Sequence, residues 1–173
     1  DIITSFDQSK KYDGLLLPGV GNFDPAIRSI RDYSALGFHD FVKEKIPVLG
    51  ICLGMAIDQA LSKKHGIVRF GQSYVPMDEA LARCVVDLSG RSYLVFNAAF
   101  VDPMVGAFPT TLVAEFFQAV AAHARMNVHI DLLRSGNDHH GIEAVFKSFG
   151  RALDAASLQS DRVQGVPSTK GSL

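Results

Sequence analysis

The pattern that most constrains the fold lies after residue 66, where three runs rich in valine, phenylalanine, tyrosine and leucine follow one another. They cover residues 67–75, 80–89 and 91–98, and Pro76 and Ser89-Gly90 interrupt them. Short β-prone runs separated by turn residues are typical of an antiparallel meander. The sequence therefore predicts three consecutive strands in this part of the chain.

Two amphipathic helices and one more strand follow the predicted meander. Residues 110–124 and 138–157 carry apolar side chains at helical spacing, whereas residues 126–133 alternate between apolar and largely polar side chains. The predicted half-domain over residues 56–173 is therefore an antiparallel sheet with two helices.

Residues 1–55 have a different pattern of apolar residues. Residues 12–17 form a short apolar run stopped by Pro18, residues 24–45 have helical spacing, and residues 47–51 form a second apolar run before another helix. Alternating strands and helices are typical of a parallel sheet. The predicted fold class is α/β (α+β), with an N-terminal βαβ parallel fragment before the half-domain.

Composition excludes several classes of partner. The net charge of the 173-residue chain is −1, which gives no reason to expect a nucleic acid partner. No apolar run approaches the roughly 20 residues that a membrane helix needs, so no membrane is expected. Cys52 and Cys84 have no paired or metal-type spacing, and the default expectation is a reducing, cytoplasmic location.

A histidine pair gives the strongest indication of chemistry. Asp138 is the predicted N-cap of the last helix, which places His139, His140 and Glu143 in its first turns. Glu143 can share a helix face with either imidazole, and His129 on the preceding strand is a fourth candidate ligand. Imidazole with carboxylate suits Mn, Fe, Co, Ni or Zn. A solvated pair at a helix start is the alternative interpretation.

Six segments in the same order resemble the C-terminal half of the imidazoleglycerol-phosphate dehydratase family, over about residues 55–173. The segments are residues 66–71 (GIVRFG), 76–81 (PMDEAL), 87–91 (DLSGR), 124–130 (ARMNVHI), 137–140 (NDHH) and 167–171 (PSTKG).

The resemblance implies a function and a set of site residues. The family comprises manganese hydro-lyases (dehydratases) of histidine biosynthesis, which convert imidazole glycerol phosphate into imidazole acetol phosphate and assemble as homo-oligomers. The implied metal ligands, for Mn²⁺ or another divalent transition metal, are His129, His139, His140 and Glu143. The implied ligands of the phosphate of this small-molecule substrate are Arg69, Arg91, Lys147, Ser168 and Lys170. Glu143 and His139 are the implied catalytic residues.

Residues 1–55 resemble a different family, the glutaminase subunit of imidazole glycerol phosphate synthase, a glutamine amidotransferase. The similar segments are residues 17–21 (LPGVG) and 47–55 (PVLGICLGM). This resemblance implies Cys52 as a nucleophile on a strand-to-helix elbow, with Gly19-Val20-Gly21 as the oxyanion hole. A buried structural cysteine is the alternative interpretation. No His-Pro-Glu segment is present to supply a base.

These observations leave three hypotheses. The chain is a metal-dependent dehydratase, a glutaminase, or an inactive chimera of the two joined near residues 50–55. The segment Gly50-Ile51-Cys52-Leu53-Gly54 also resembles the helix that follows the first metal motif in the dehydratase family. A continuous match to one family across residues 40–70 would contradict the chimera.

Overall fold

A computed structural model of the chain describes residues 38–61, 63–163 and 165–168. The strand predicted over residues 12–17, the Gly19-Val20-Gly21 segment and Lys170 lie outside the described residues. The elements, in chain order, are helix α1 (Phe38–Leu61), strands β1 (Phe70–Met77), β2 (Ala80–Asp87), β3 (Tyr93–Asn97), β4 (Met104–Val105) and β5 (Phe108–Pro109), helix α2 (Leu112–Ala124), strand β6 (Asn127–Arg134) and helix α3 (Asp138–Ser157).

The sheet is mixed, with four strands in the order β1-β2-β6-β3. β1 pairs antiparallel with β2 and β2 with β6, while β3 pairs parallel with β6. The predicted three-stranded meander is therefore wrong at its third strand. β6, not β3, lies beside β2, and β3 is on the outer side of β6. A parallel pair requires a long crossover connection, and α2 supplies it between β3 and β6. Val128 and Ile130 of β6 are fully buried, as expected of a central strand.

Residues 47–51 are helical, so the strand predicted there is wrong. A short apolar run does not distinguish a strand from a buried helix segment. The physical reason for the helix is packing on α2, since Gly50 and Gly54 face its backbone. A Cβ at Gly50 would lie 2.7 Å from the carbonyl oxygen of Phe116. The boundary expected at residues 55–56 falls inside α1, and the two-domain division stays a prediction.

The core lies between one face of the sheet and helices α2 and α3. Alternate residues of β2 are buried, and the buried apolar residues of α2 and α3 form one cluster with them. Gly71 of β1 permits the close approach of α3, because a Cβ there would overlap the backbone of Ala152. Ring contacts among Phe116, Phe117 and Phe146 fill the space between the two helices, with centroids 4.9–5.1 Å apart. The predicted helices 110–124 and 138–157 are confirmed.

The opposite face of the sheet is open in the described part of the chain. It carries polar side chains such as Arg83, His129 and Asp131 together with exposed aromatic rings such as Tyr74 and Tyr93. Among the described helices, none has the length and apolar content that would let it cross a membrane.

Candidate metal and phosphate site

The histidine pair lies at the N-terminus of α3, where the helix cap holds its backbone. The N-cap is Asn137 rather than the predicted Asp138, and its side-chain oxygen accepts hydrogen bonds from the amides of His139 (2.9 Å) and His140 (3.3 Å). Asp138 instead accepts a hydrogen bond from the amide of Asp102 at 2.7 Å. The cap therefore positions the backbone of both histidines directly.

His140 contacts two carboxylates on the turn between β1 and β2. Its Nδ1 lies 3.0 Å from Oε2 of Glu79, and its Nε2 lies 3.8 Å from Oδ2 of Asp78. The hydrogen bond to Glu79 raises the pKa of His140 and lowers the pKa of Glu79. The hairpin turn thus brings negative charge to the first turn of α3.

His139 faces a different neighbour, as expected for consecutive helical residues that diverge by about 100°. Its Nε2 lies 3.4 Å from Oε2 of Glu143, and the two histidine ring centroids are 6.0 Å apart. Oε1 of Glu143 lies 2.5 Å from Nζ of Lys147, and this hydrogen bond lowers the pKa of Glu143. Glu143 therefore shares its two oxygens between His139 and Lys147.

The donor set at this end of α3 fits a divalent transition metal. Oxygen atoms of Asp78 and Glu79 and a ring nitrogen of His140 lie within 4.8 Å of one another, and among the described residues this is the one group of three such ligands. Carboxylate oxygen with imidazole nitrogen is a combination that suits Mn²⁺ and its neighbours in the first transition row. We call the cluster of Asp78, Glu79, His139, His140, Glu143 and Lys147 the histidine end.

The sequence pattern predicts no role for Asp78 or Glu79. They belong to the PMDEAL segment that carries part of the family resemblance, and that segment was the available signal. Glu79 and His140 are 61 residues apart along the chain. They meet only because the β1–β2 hairpin packs against α3.

Arg69 immediately precedes Phe70, the first residue of β1. It therefore lies at the end of β1 that is farther from the histidine end. It is paired with Asp87 at 2.7 Å and donates from Nη1 to the carbonyl oxygen of Pro167 at 2.6 Å. Its φ of +76° is unusual for a residue with a side chain. Backbone hydrogen bonds hold this conformation, since the Arg69 amide donates to Ala156. Arg69 thereby brings the tail segment that contains Ser168 beside the sheet.

The other expected phosphate ligands are dispersed. Arg91 is exposed in the β2–β3 connection, where its guanidinium lies 3.5 Å from the carbonyl oxygen of Ser89. Ser168 follows Pro167, and its amide N–H donates to the carbonyl oxygen of Val166 at 2.7 Å. Lys147 belongs to the histidine end, and Lys170 lies outside the described residues.

His129 projects from the open face of the sheet near the end of β6 that pairs with Asp87. It lies opposite Val85, and its ring centroid is 6.2 Å from that of Tyr93. Two residues along β6, Asp131 accepts hydrogen bonds from Asn97 (2.9 Å) and Arg83 (2.8 Å), which lower the pKa of its carboxyl. We call the group of Arg69, Asp87, Arg91, His129 and Ser168 the arginine end.

The two ends are separated by the length of the β1–β2 hairpin. Phe70 pairs with Asp87 at one extremity and Met77 pairs with Ala80 at the other. Eight residues in a strand extend about 26 Å. Arg69 precedes Phe70, and His129, opposite Val85, is five strand residues or about 17 Å from Ala80. Within one chain, Arg69 and His129 therefore do not meet His139, His140 or Glu143 over a single small molecule.

Cys52 does not lie on a strand-to-helix elbow. It is half-buried inside α1, which continues on both sides of it from Phe38 to Leu61. The helical interpretation of residues 50–54 is therefore the correct one. Cys84 is buried in β2, and burial raises the pKa of its thiol to about 12.

The fold and site together define a mixed α/β domain that presents imidazole and carboxylate side chains at a helix start and basic residues at a sheet end. The sequence model of the family described as imidazoleglycerol-phosphate dehydratase matches residues 21–153, and the chain belongs to this family.

Individual relatives agree with the family match. An imidazoleglycerol-phosphate dehydratase of Syntrophomonas wolfei is 57% identical over 122 residues, which is 70% of this chain and 62% of that protein. One from Ruminiclostridium cellulolyticum is 46% identical over 163 residues, which is 90% of this chain and 84% of that protein. The chain spans less than two thirds of the length of the Syntrophomonas wolfei relative and of the Listeria innocua relative, at 62% and 64%.

Two solved structures of imidazoleglycerol-phosphate dehydratases are also similar to this chain. The crystal structure from Staphylococcus aureus has a TM-score of 0.64 and 52% identity, covering 66% of this chain and 68% of that one. The structure from Pyrococcus furiosus, in complex with (S)-C348, has a TM-score of 0.65 and 36% identity, covering 74% of this chain and 69% of that one. The predicted α/β dehydratase-type fold is confirmed.

The family match is continuous through residues 40–70, where we expected a join between two families. It begins at residue 21 and so includes most of the segment interpreted as glutaminase-like. A continuous match gives the chimera and the glutaminase hypothesis no support.

Proposed function

We propose that this chain contributes to an imidazoleglycerol-phosphate dehydratase, a hydro-lyase that removes water from imidazole glycerol phosphate to form imidazole acetol phosphate. The observation that carries the proposal is the histidine end, where the Asn137 cap presents His139 and His140 beside the carboxylates Glu79 and Glu143. All six residues of this cluster lie inside residues 21–153, which the dehydratase family model matches.

His139, His140, Glu143 and His129 are the proposed ligands of a divalent metal, with Mn²⁺ as the proposed ion. A bound divalent ion supplies Lewis-acid stabilisation of negative charge that develops on a substrate. Within the chain, Glu143 is held as a carboxylate by Lys147, and it is thereby kept in the form that binds a cation.

Arg69, Arg91, Lys147, Ser168 and Lys170 are the proposed ligands of the substrate phosphate. Arginine offers paired N–H donors and lysine a compact charge, and both suit a phosphomonoester. The Arg69 contact with Pro167 supports the grouping of Arg69 with Ser168, because it fixes the neighbouring residue of the tail.

A homo-oligomer is the proposed active form. The arginine end and the histidine end lie towards opposite ends of the β1–β2 hairpin. This placement supports a site in which one copy contributes His129 and Arg69 and another contributes His139, His140 and Glu143. Closed symmetry between identical chains would form the same shared site at every equivalent interface. The open sheet face, with its exposed Tyr74 and Tyr93, is available for such a contact.

The direct test is an assay of purified chain with imidazole glycerol phosphate and added Mn²⁺. We expect formation of imidazole acetol phosphate that requires Mn²⁺ and that His139→Ala abolishes, whereas Glu115→Gln, on the exposed surface of α2, leaves the rate unchanged. Absence of turnover by the folded, metal-loaded chain would contradict the proposal.

Subunit complementation tests the shared site. His129→Ala and His139→Ala should each inactivate the protein, and refolding an equal mixture should restore about a quarter of the wild-type rate, because random pairing joins two intact ends at about one junction in four. A mixture that is no more active than either variant would exclude a site shared between copies.

A further inference from the structure

We infer that Glu79 is a positioning residue for His140: it holds the ring in the tautomer protonated at Nδ1 and so leaves Nε2 as the metal-binding atom. The inference rests on the proposed function for its metal, and on the described structure for the contact between Glu79 and His140. Nothing in the sequence pattern around the histidine pair assigns Glu79 this role.

The contact itself determines which ring nitrogen is available. Oε2 of Glu79 lies 3.0 Å from Nδ1 of His140. An ionised carboxylate only accepts hydrogen bonds, so Nδ1 must carry the proton. In the neutral ring the free lone pair is then on Nε2. Asp78, with Oδ2 3.8 Å from Nε2, borders the space that this lone pair faces.

Glu79 is itself fixed by elements other than α3. It occupies the two-residue turn between β1 and β2, where Asp78 has a φ of +47°. The Glu79 side chain packs over Gly136, where an added Cβ would lie 3.1 Å from Cγ of Glu79. The side chain is therefore seated over a glycine that precedes the Asn137 cap.

The arrangement has a known physical consequence. A carboxylate that accepts the second N–H of a metal-binding histidine orients the ring and increases the basicity of the nitrogen that binds the ion. Removal of such a partner costs roughly 10–100-fold in metal affinity. Although Glu79 is near enough to be counted with the possible ligands, its Oε2 is engaged by Nδ1 of His140. Glu79 would therefore act on the ion through His140.

The affinity test uses Mn²⁺ alone, with free ion measured by electron paramagnetic resonance during titration of the full chain. We expect Glu79→Ala to raise the Kd for Mn²⁺ by roughly 10–100-fold. Glu115→Gln, on the exposed surface of α2, should leave it unchanged. In a His140→Ala background, Glu79→Ala should have no further effect, because its action passes through the imidazole.

A spectroscopic readout separates orientation from general stability. Nitrogen-15 NMR of metal-free protein, labelled in histidine, should show His140 as the Nδ1–H tautomer in the wild type and a mixture of tautomers in Glu79→Ala. Thermal unfolding of each variant identifies any loss of folded protein, and in that event Glu79→Gln provides the milder replacement for both measurements.

The outcomes distinguish this inference from the proposed function. Wild-type chain that binds no Mn²⁺ would overturn the proposed metal site and the ligand role of Nε2 with it. If the wild type binds Mn²⁺ and Glu79→Ala binds it with the same Kd, only the positioning role of Glu79 would be overturned. An additional loss in the His140→Ala background would make Glu79 a direct ligand and would also overturn it.

Discussion

Gly54 of α1 packs against the main chain of Val120 in α2, so that a Cβ at Gly54 would lie 2.9 Å from the Val120 carbonyl oxygen. The same Cβ would come within 2.7 Å of Cβ of His123. Two helices approach this closely only where a side chain is missing, and Gly50 makes the equivalent contact one turn earlier. The glycines that suggested a nucleophile elbow are therefore packing residues.

Gly54→Ala should destabilise the protein although alanine favours a helix. Overpacking against backbone costs about 1–3 kcal/mol, which outweighs a helix-propensity gain of up to about 1 kcal/mol. Gly150→Ala in α3 is the matched control, because Gly150 is exposed and its Cβ would meet nothing within 4 Å. Urea unfolding should show the first variant less stable than wild type and the second more stable by about 0.5–1 kcal/mol. The same sign for both would contradict this packing.

Asn137→Ala should cost about 1 kcal/mol of the free energy of unfolding, because the side chain satisfies the amides of His139 and His140. Thr111→Ala is the control at the start of α2, where Thr111 is the N-cap but makes no side-chain cap hydrogen bond. We expect Thr111→Ala to change stability by less than about 0.5 kcal/mol. Equal losses in chemical denaturation would show that the cap at Asn137 has no special role.

The two cysteines should differ in reactivity. Cys84 is fully buried and burial raises its pKa to about 12, so almost none of it is thiolate in the native state. Cys52 is half-buried in α1. A colorimetric thiol reagent should label Cys52 in the folded protein and Cys84 only after unfolding, and Cys52→Ser should eliminate the native labelling. Labelling of Cys84 without unfolding would contradict its burial in the core.

Lys64 should make stability depend on alkaline pH. Its side chain is 1% exposed and donates to the carbonyl oxygen of Arg125 at 3.4 Å. Burial lowers its pKa below the ordinary 10.5, with Asp58 opposing the shift. The unfolded state then binds more protons between the lowered pKa and 10.5, so this contribution to stability rises with pH across that window.

Lys64→Met lacks this titration, and we expect wild type to gain stability relative to the variant as pH increases from neutral towards 10.5. The measurement is the difference in the free energy of unfolding between the two proteins at several pH values. A difference that is constant with pH would show that Lys64 has an ordinary pKa.

The elements of the second half of the chain were predictable because their patterns are local. The helical spacing of Val113, Phe117 and Val120 and the alternation of Val128 and Ile130 follow from which side chains must be buried. The strand predicted over residues 47–51 is wrong because an apolar run has no period that separates strand from helix. The position of β3 was also missed, since strand order is set by contacts between distant segments.

The sequence by itself determined the family of this protein, because six segments together indicate a dehydratase family. It also identified the His-His-x-x-Glu segment and the set of basic residues as the candidate site. These depend on residue type and short spacing, which a linear sequence contains. Only the tertiary structure decided that Glu79 meets His140, that Asn137 is the cap, and that the arginine end and the histidine end lie towards opposite ends of the β1–β2 hairpin. Those relationships depend on how β1, β2 and β6 pair and how α3 packs on them, and pairing of distant segments is settled by burial and hydrogen bonding in three dimensions.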